Sequence, residues 1–121
     1  MKSTKELVSE ANKQIETLSA DEAMKLASDK EIAFVDLREA PEVEKGSFPG
    51  AVHVPRGLLE FQIDPESPTH NPMLAGKKKL VLYCGSGGRS ALAAKALKDM
   101  GITNVAHVAG GFPALQKARQ T

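Results

Sequence analysis

Leu80-Val81-Leu82-Tyr83-Cys84-Gly85-Ser86-Gly87-Gly88-Arg89-Ser90-Ala91-Leu92-Ala93-Ala94-Lys95-Ala96-Leu97 decides the fold class. Its first four residues are apolar and partly β-branched, the composition of a buried strand. Its last seven are strong helix formers. A glycine-rich turn joins the two and carries the only cysteine of the chain. Strand, tight turn and helix in succession form the repeating unit of an α/β protein. The turn also sets a thiol where backbone N–H groups converge and a helix dipole favours negative charge.

The alternation continues outward in both directions. Upstream, Leu7, Val8, Ala11 and Ile15 recur at helical spacing behind a possible Ser3 or Thr4 cap, which predicts a helix over 3–16. Ile15 to Leu18 can start an edge strand. Ser19 with Glu22 reads as a capping box opening a helix that runs to Ser28. Residues 31–37 form a compact apolar run ending in Asp36-Leu37-Arg38 and predict a buried strand. Pro41 to Lys45 fit one or two helical turns, Ala51 to Val54 a short strand and Leu58 to Ile63 a short helix. Residues 64–76, with three of the seven prolines, read as a surface loop. Downstream lie a helix over 89–100, a strand Val105-Ala106-His107-Val108, a Gly110-Gly111 turn and a helix over 112–119. Ligands of such folds bind beyond the carboxyl ends of the strands, where Asp36-Leu37-Arg38, the cysteine loop and Gly110-Gly111 converge.

Composition narrows the function. A chain of 121 residues fits one domain with its own core, rich in Val, Leu, Ile and Ala because aromatics are only 4%. A net charge of +1 leaves no excess to neutralise phosphates, so neither a nucleic-acid nor a membrane-surface binder is expected. Lys77-Lys78-Lys79 reads as a solvated lead-in to the next strand. One cysteine excludes an internal disulfide, and His53, His70 and His107 show no metal-ligand spacing. Neither a metal nor a cofactor is expected. Without a signal-like or membrane-spanning segment, the chain reads as cytoplasmic, where a lone thiol stays reduced.

The loop specifies its own chemistry. Gly85, Gly87 and Gly88 let it curl through positive φ and aim successive N–H groups inward. A thiolate at its mouth gains those hydrogen bonds, so its pKa is expected below the ordinary value of about 8.5. Arg89 either attracts an anion or ties the loop to a carboxylate. Ser90 is the N-cap or first-turn hydroxyl of the following helix. Four residues, Gly85 to Gly88, separate Cys84 from Arg89. That is one fewer than protein tyrosine phosphatases use to cradle a phosphate. The space is too tight for a phosphoryl group but holds one extra sulfur atom.

Four segments in order resemble the single-domain rhodanese-like sulfurtransferases, over roughly residues 17–118. They are Val35-Asp36-Leu37-Arg38-Glu39, Gly46-Ser47-Phe48-Pro49-Gly50-Ala51-Val52-His53-Val54-Pro55, Tyr83-Cys84 through Ser90, and Gly110-Gly111-Phe112. Ser47 departs from the pattern, which commonly has histidine there, and is expected at the surface. Cys84-Gly85-Ser86-Gly87 is similar to mercaptopyruvate sulfurtransferases, whereas Gly88-Arg89-Ser90 is similar to the thiosulfate type. The resemblance implies a three-layer α/β/α sandwich with a central, mostly parallel, five-stranded sheet over 17–121. Residues 1–16 would then be an appended helix.

It also implies a two-step reaction. Cys84 takes the sulfane sulfur of a thiosulfate-like donor as a persulfide, and a thiophilic acceptor, cyanide or a thiol, removes it. A thioredoxin-like or persulfide-carrying protein could supply or receive that sulfur. The alternative is a non-turnover sulfur carrier or persulfide sensor acting with a protein partner. The amides of residues 85–89 would hold the anionic persulfide. Asp36 is expected to order neighbouring loops, and Arg38 to form a salt bridge or line the entrance. Gly110 and Gly111 are expected to allow a tight turn, and Phe112 to be core or pocket wall. His53 and His107 are expected to be structural.

Overall fold

The computed structural model describes residues 1–120. Thr121, the last residue of the expected domain, lies outside them. In chain order the elements are α1 (Thr4–Asn12), β1 (Glu16–Leu18), α2 (Ala20–Met24), β2 (Ile32–Asp36), α3 (Ala40–Glu44), β3 (Val52–His53), α4 (Leu59–Ile63), β4 (Lys79–Tyr83), α5 (Gly88–Asp99), β5 (Val105–Val108) and α6 (Gly111–Arg119). Ser3 and Ser19 open α1 and α2 by accepting the amide three residues on, each at 3.1 Å. Glu6 and Glu22 return to the caps' own amides, so both boxes are reciprocal.

The five strands lie in the order β1-β5-β4-β2-β3. Every pairing is parallel, so the sheet is parallel throughout rather than mostly so. Period-2 alternation divides the strand side chains between two helix layers. Ala33, Val35, Leu80, Leu82 and Val105 pack with Leu59 of α4 and Ala93, Ala94 and Leu97 of α5. Ile32, Phe34, Val81, Tyr83, Ala106 and Val108 pack with Ala23 of α2 and Leu115 of α6. Each such leucine contributes about 1.5–3 kcal/mol through its removal from water. α1 lies on the outside of α5.

Four elements differ from expectation. α1 ends at Asn12 and not at residue 16, because the chain turns after Lys13 and Glu16 opens β1. α2 stops at Met24, because the next amides bond three residues back and tighten into turns (Leu26 to Ala23 at 2.9 Å, Ala27 to Met24 at 3.2 Å). The loop over 64–76 is not wholly at the surface. Asn71 caps a 3₁₀ turn, Pro72–Leu74, that buries Leu74. The strand at 51–54 shrinks to two residues, since it pairs on one side only. Register aligns Asp36 with Tyr83 and Leu82 with His107. The loops after β2, β4 and β5 therefore meet at one end of the sheet.

Candidate active site

Cys84 continues the alternation of β4 and turns its side chain toward α5. The Gly87 amide donates to Sγ at 3.1 Å and the Ser90 amide at 3.4 Å, and Ser90 Oγ lies 3.6 Å from Sγ. These donors sit in the first turn of α5, at the positive end of its dipole. Burial of the sulfur opposes the thiolate. The Ser90 hydroxyl and the amides of Ser90, Ser86 and Gly87 outweigh it, holding the thiol below its ordinary pKa. Cys84 is fully buried, so the sulfur lies at the floor of the loop and not at its mouth.

Of the loop glycines, only Gly87 takes positive φ, at 110°. It caps α5, which puts Ser90 in the first turn and not at the N-cap. Gly85 and Gly88 carry no left-handed backbone. Besides the Ser86 amide, those of Gly87 and Ser90 lie on the sulfur, so the cradle extends one residue beyond the 85–89 segment. The Ser90 hydroxyl is 2.9 Å from His107 Nδ1 and 3.2 Å from the Gly87 carbonyl.

The Gly110-Gly111 turn closes the loop from the other side. The Phe112 amide donates to the Cys84 carbonyl at 2.8 Å. Gly111 has φ 63°, and a Cβ there would overlap the Cys84 carbonyl and lie 2.8 Å from the Gly85 carbonyl carbon. No other residue permits that approach.

Arg89 forms a two-pronged pair with Glu42 of α3, at 2.8 and 3.0 Å. This pair holds the Glu42 carboxyl down at about 2 and raises the Arg89 guanidinium, to which Cys84 adds a smaller attraction. The guanidinium therefore ties the loop to a carboxylate while remaining a positive charge beside the thiol. Glu42 carries no motif of its own. Its acidic side chain in the short helix after Arg38 was the available signal.

On the opposite face of the sheet stands a second cluster. Asp36 accepts the Arg38 backbone amide at 3.0 Å, the Arg38 guanidinium at 2.8 Å and the Tyr83 hydroxyl at 2.7 Å. Burial works against the carboxylate, but the Arg38 and Tyr83 donors lower its pKa overall. Burial pushes Tyr83 up to about 12. Ser47 is half-buried inside this cluster, 3.2 Å from both Asp36 Oδ2 and Tyr83 Oη, and not at the surface. Arg38 also lies 4.1 Å over the Phe112 ring. Arg38, Pro41, Glu42, Lys45 and Phe112 line a recess of about 340 Å³ beside the loop. Arg38 is thus salt-bridged and lines this recess, and Phe112 is one of its walls. His53 closes on the Arg38 carbonyl at 2.7 Å.

A family model for the rhodanese-like domain matches residues 19–118. The chain belongs to the rhodanese-like domain family. Among relatives of this rhodanese-like domain, the tRNA uridine(34) hydroxylase of Pectobacterium carotovorum subsp. carotovorum is 36% identical over 105 residues, 85% of this chain and 28% of that protein. The putative sulfur carrier protein YrkF of Bacillus subtilis is 33% identical over 88 residues, 73% of this chain and 43% of that protein. The chain thus spans less than half the length of either relative. A solved structure from Rhodopseudomonas palustris CGA009, a protein of unknown function described as a possible tyrosine phosphatase, superposes with a TM-score of 0.92. It shares 43% identity and covers 98% of this chain and 92% of its own. The human single-domain sulfurtransferase TSTD1 superposes with a TM-score of 0.69 at 27% identity, over 84% of this chain and 95% of its own.

Proposed function

We propose that this rhodanese-like domain is a sulfurtransferase that moves a sulfane sulfur from thiosulfate, or a similar anionic donor, through a persulfide on Cys84. The Cys84 thiolate attacks the outer sulfur of thiosulfate. A Cys84–S bond forms, the S–S bond of the donor breaks, and sulfite leaves with its electron pair. An acceptor nucleophile then attacks the outer sulfur of the persulfide and returns the thiolate. Cyanide leaves as thiocyanate, and a thiol leaves as a new persulfide. The observation that carries this reading is the pair of amides on Sγ at 3.1 and 3.4 Å, pre-set for an anionic sulfur without solvent reorganisation.

Site roles follow from position. Cys84 is the nucleophile, Gly87 and Ser90 hold the anion, and Gly85, Ser86 and Gly88 shape the turn. Arg89 adds positive charge, Gly110 caps α6 in left-handed backbone, Gly111 admits the neighbouring backbone, and Asp36 and Arg38 brace the far side. Within residues 1–16, the helix Thr4–Asn12 is an appended element on the 17–121 domain. The reaction belongs to a reducing compartment such as the cytoplasm, with a small thiol, a thioredoxin-like protein or a persulfide-carrying protein as acceptor. Four residues between Cys84 and Arg89 argue against phosphoryl transfer.

Thiocyanate production from thiosulfate and cyanide tests the reading. The wild-type chain should turn over and Cys84→Ser should not, and equal rates in the two would sink it. Mercaptopyruvate run in parallel identifies the preferred donor.

Full burial of Cys84 favours a second reading, a sulfur carrier loaded by a protein partner whose docking opens the loop. Fast loading from a protein persulfide with slow loading from thiosulfate would select it.

A further inference from the structure

His107 is a buried, titratable side chain that the transfer chemistry above does not use, and it is 2% exposed. It stands in an otherwise apolar strand, Val105-Ala106-His107-Val108, on the α5 face beside Leu82. Its polar neighbours come from three elements. Ser90 Oγ of α5 lies 2.9 Å from Nδ1, and on the other side Asn12 Oδ1 of α1 and Thr17 Oγ1 of β1 lie 2.8 and 3.2 Å from Nε2. Cys84, across Ser90, is its titratable neighbour.

These contacts set the proton positions. An amide oxygen only accepts, so the Asn12 contact requires a hydrogen on Nε2. The neutral ring then offers a lone pair on Nδ1. Between Nδ1 at 2.9 Å and the Gly87 carbonyl at 3.2 Å, the Ser90 hydroxyl donates to the nearer Nδ1, which leaves Ser90 Oγ free to accept the Cys84 thiol. A directed chain runs from Cys84 S–H through Ser90 O–H to His107 Nδ1. Burial pushes the imidazole below its ordinary range, keeping the accepting form present at neutral pH.

We propose that His107 is the proton acceptor for Cys84 through the Ser90 hydroxyl, and that Asn12 of α1 selects the tautomer that makes this possible. The Cys84 proton moves to Ser90 Oγ as the Ser90 proton moves to His107 Nδ1. The products are a thiolate, an unchanged serine and an imidazolium, with no net change of charge or oxidation state. The Ser90 hydroxyl hydrogen is then free to turn to the sulfur. Surface-exposed Thr17 at Nε2 gives the proton a way out of a site whose sulfur has no exposure of its own. Ser90 touches the reacting atom and is catalytic, whereas His107 and Asn12 act through it as positioning residues. Asn12 lies outside the matched family segment 19–118, so α1 completes the site.

The proposal rests on the sulfurtransferase reading, but its test does not require turnover. Cys84 is the only cysteine, so thiolate absorbance against pH reports it directly. His107→Gln should raise the apparent Cys84 pKa by about one unit, a tenfold loss of thiolate below it. Asn12→Ala should raise it by a smaller step. Asn12→Asp, which favours the imidazolium, should lower it. A structural histidine predicts no such opposite shifts. An unchanged titration in folded His107→Gln overturns the proposal. If that variant does not fold, equal Cys84 titrations in Asn12→Ala and Asn12→Asp overturn it instead. Shifted titrations without a thiosulfate adduct would contradict the transfer reading while leaving the relay in place.

Discussion

β4 carries a polar cluster on each of its faces, and the two are built on different principles. On the α6 face Asp36, Arg38, Tyr83 and Ser47 close on one another. Asp36 alone receives five donor atoms, three from Arg38 and one each from Ser47 and Tyr83. On the α5 face Cys84, Ser90 and His107 form a chain with directed ends, one at a buried sulfur and one at exposed Asn12 and Thr17. A closed cluster over-determines geometry and braces the loops. An open chain leaves one proton free to move. The same sheet thus separates rigidity from reactivity by a single step of strand alternation.

The largest effect expected is on stability, at the closed cluster. Asp36→Ala strands the buried Arg38 charge and should cost about 3–5 kcal/mol, read as a fall in the denaturant midpoint. A loss of sulfur loading without that fall would break the comparison. Next, Gly111→Ala forces a side chain into left-handed backbone and against the Cys84 carbonyl. It should cost at least about 1–3 kcal/mol and slow loading together. Ser90→Ala should do the reverse of Asp36→Ala. Its stability cost is about 1 kcal/mol, while the Cys84 pKa rises, and each unit of rise costs about tenfold in loading at pH values below that pKa. Equal damage to stability and loading by both variants would erase the distinction.

The smallest effect expected is at Glu42. Its folded pKa is depressed from 4.5 to about 2 by Arg89, so its contribution is present above pH 4.5 and fades as pH falls toward 2. Glu42→Gln should flatten the stability profile in that window. The change is small, because the Glu42 and Arg89 side chains are 38% and 40% exposed. In wild type, loading should follow the thiolate fraction and fall off at a lower pH than it would for an ordinary thiol.

Much of this was legible in the chain. The run Leu80 to Tyr83, the glycines after Cys84 and the alanine-rich stretch beyond them specify strand, loop and helix by local chemistry alone. Asp36 and Arg38 are two residues apart, so their pairing could be anticipated. The partners of the reactive chain could not. Ser90 and His107 are brought together by the β4–β5 register, and Asn12 reaches His107 only because α1 packs over α5. The one available sign was a histidine inside an otherwise apolar, four-residue strand. The approach of Gly111 to the Cys84 carbonyl was equally hidden, because it joins two segments distant in sequence.

The central claim is that Cys84 holds a sulfur. The direct measurement is the intact mass of the folded chain after incubation with thiosulfate and removal of excess donor. The account predicts a gain of one sulfur atom on the wild type, its absence in Cys84→Ser, and its discharge by cyanide as thiocyanate. A folded wild-type chain that gains no sulfur, or a Cys84→Ser chain that gains the same mass, would contradict it.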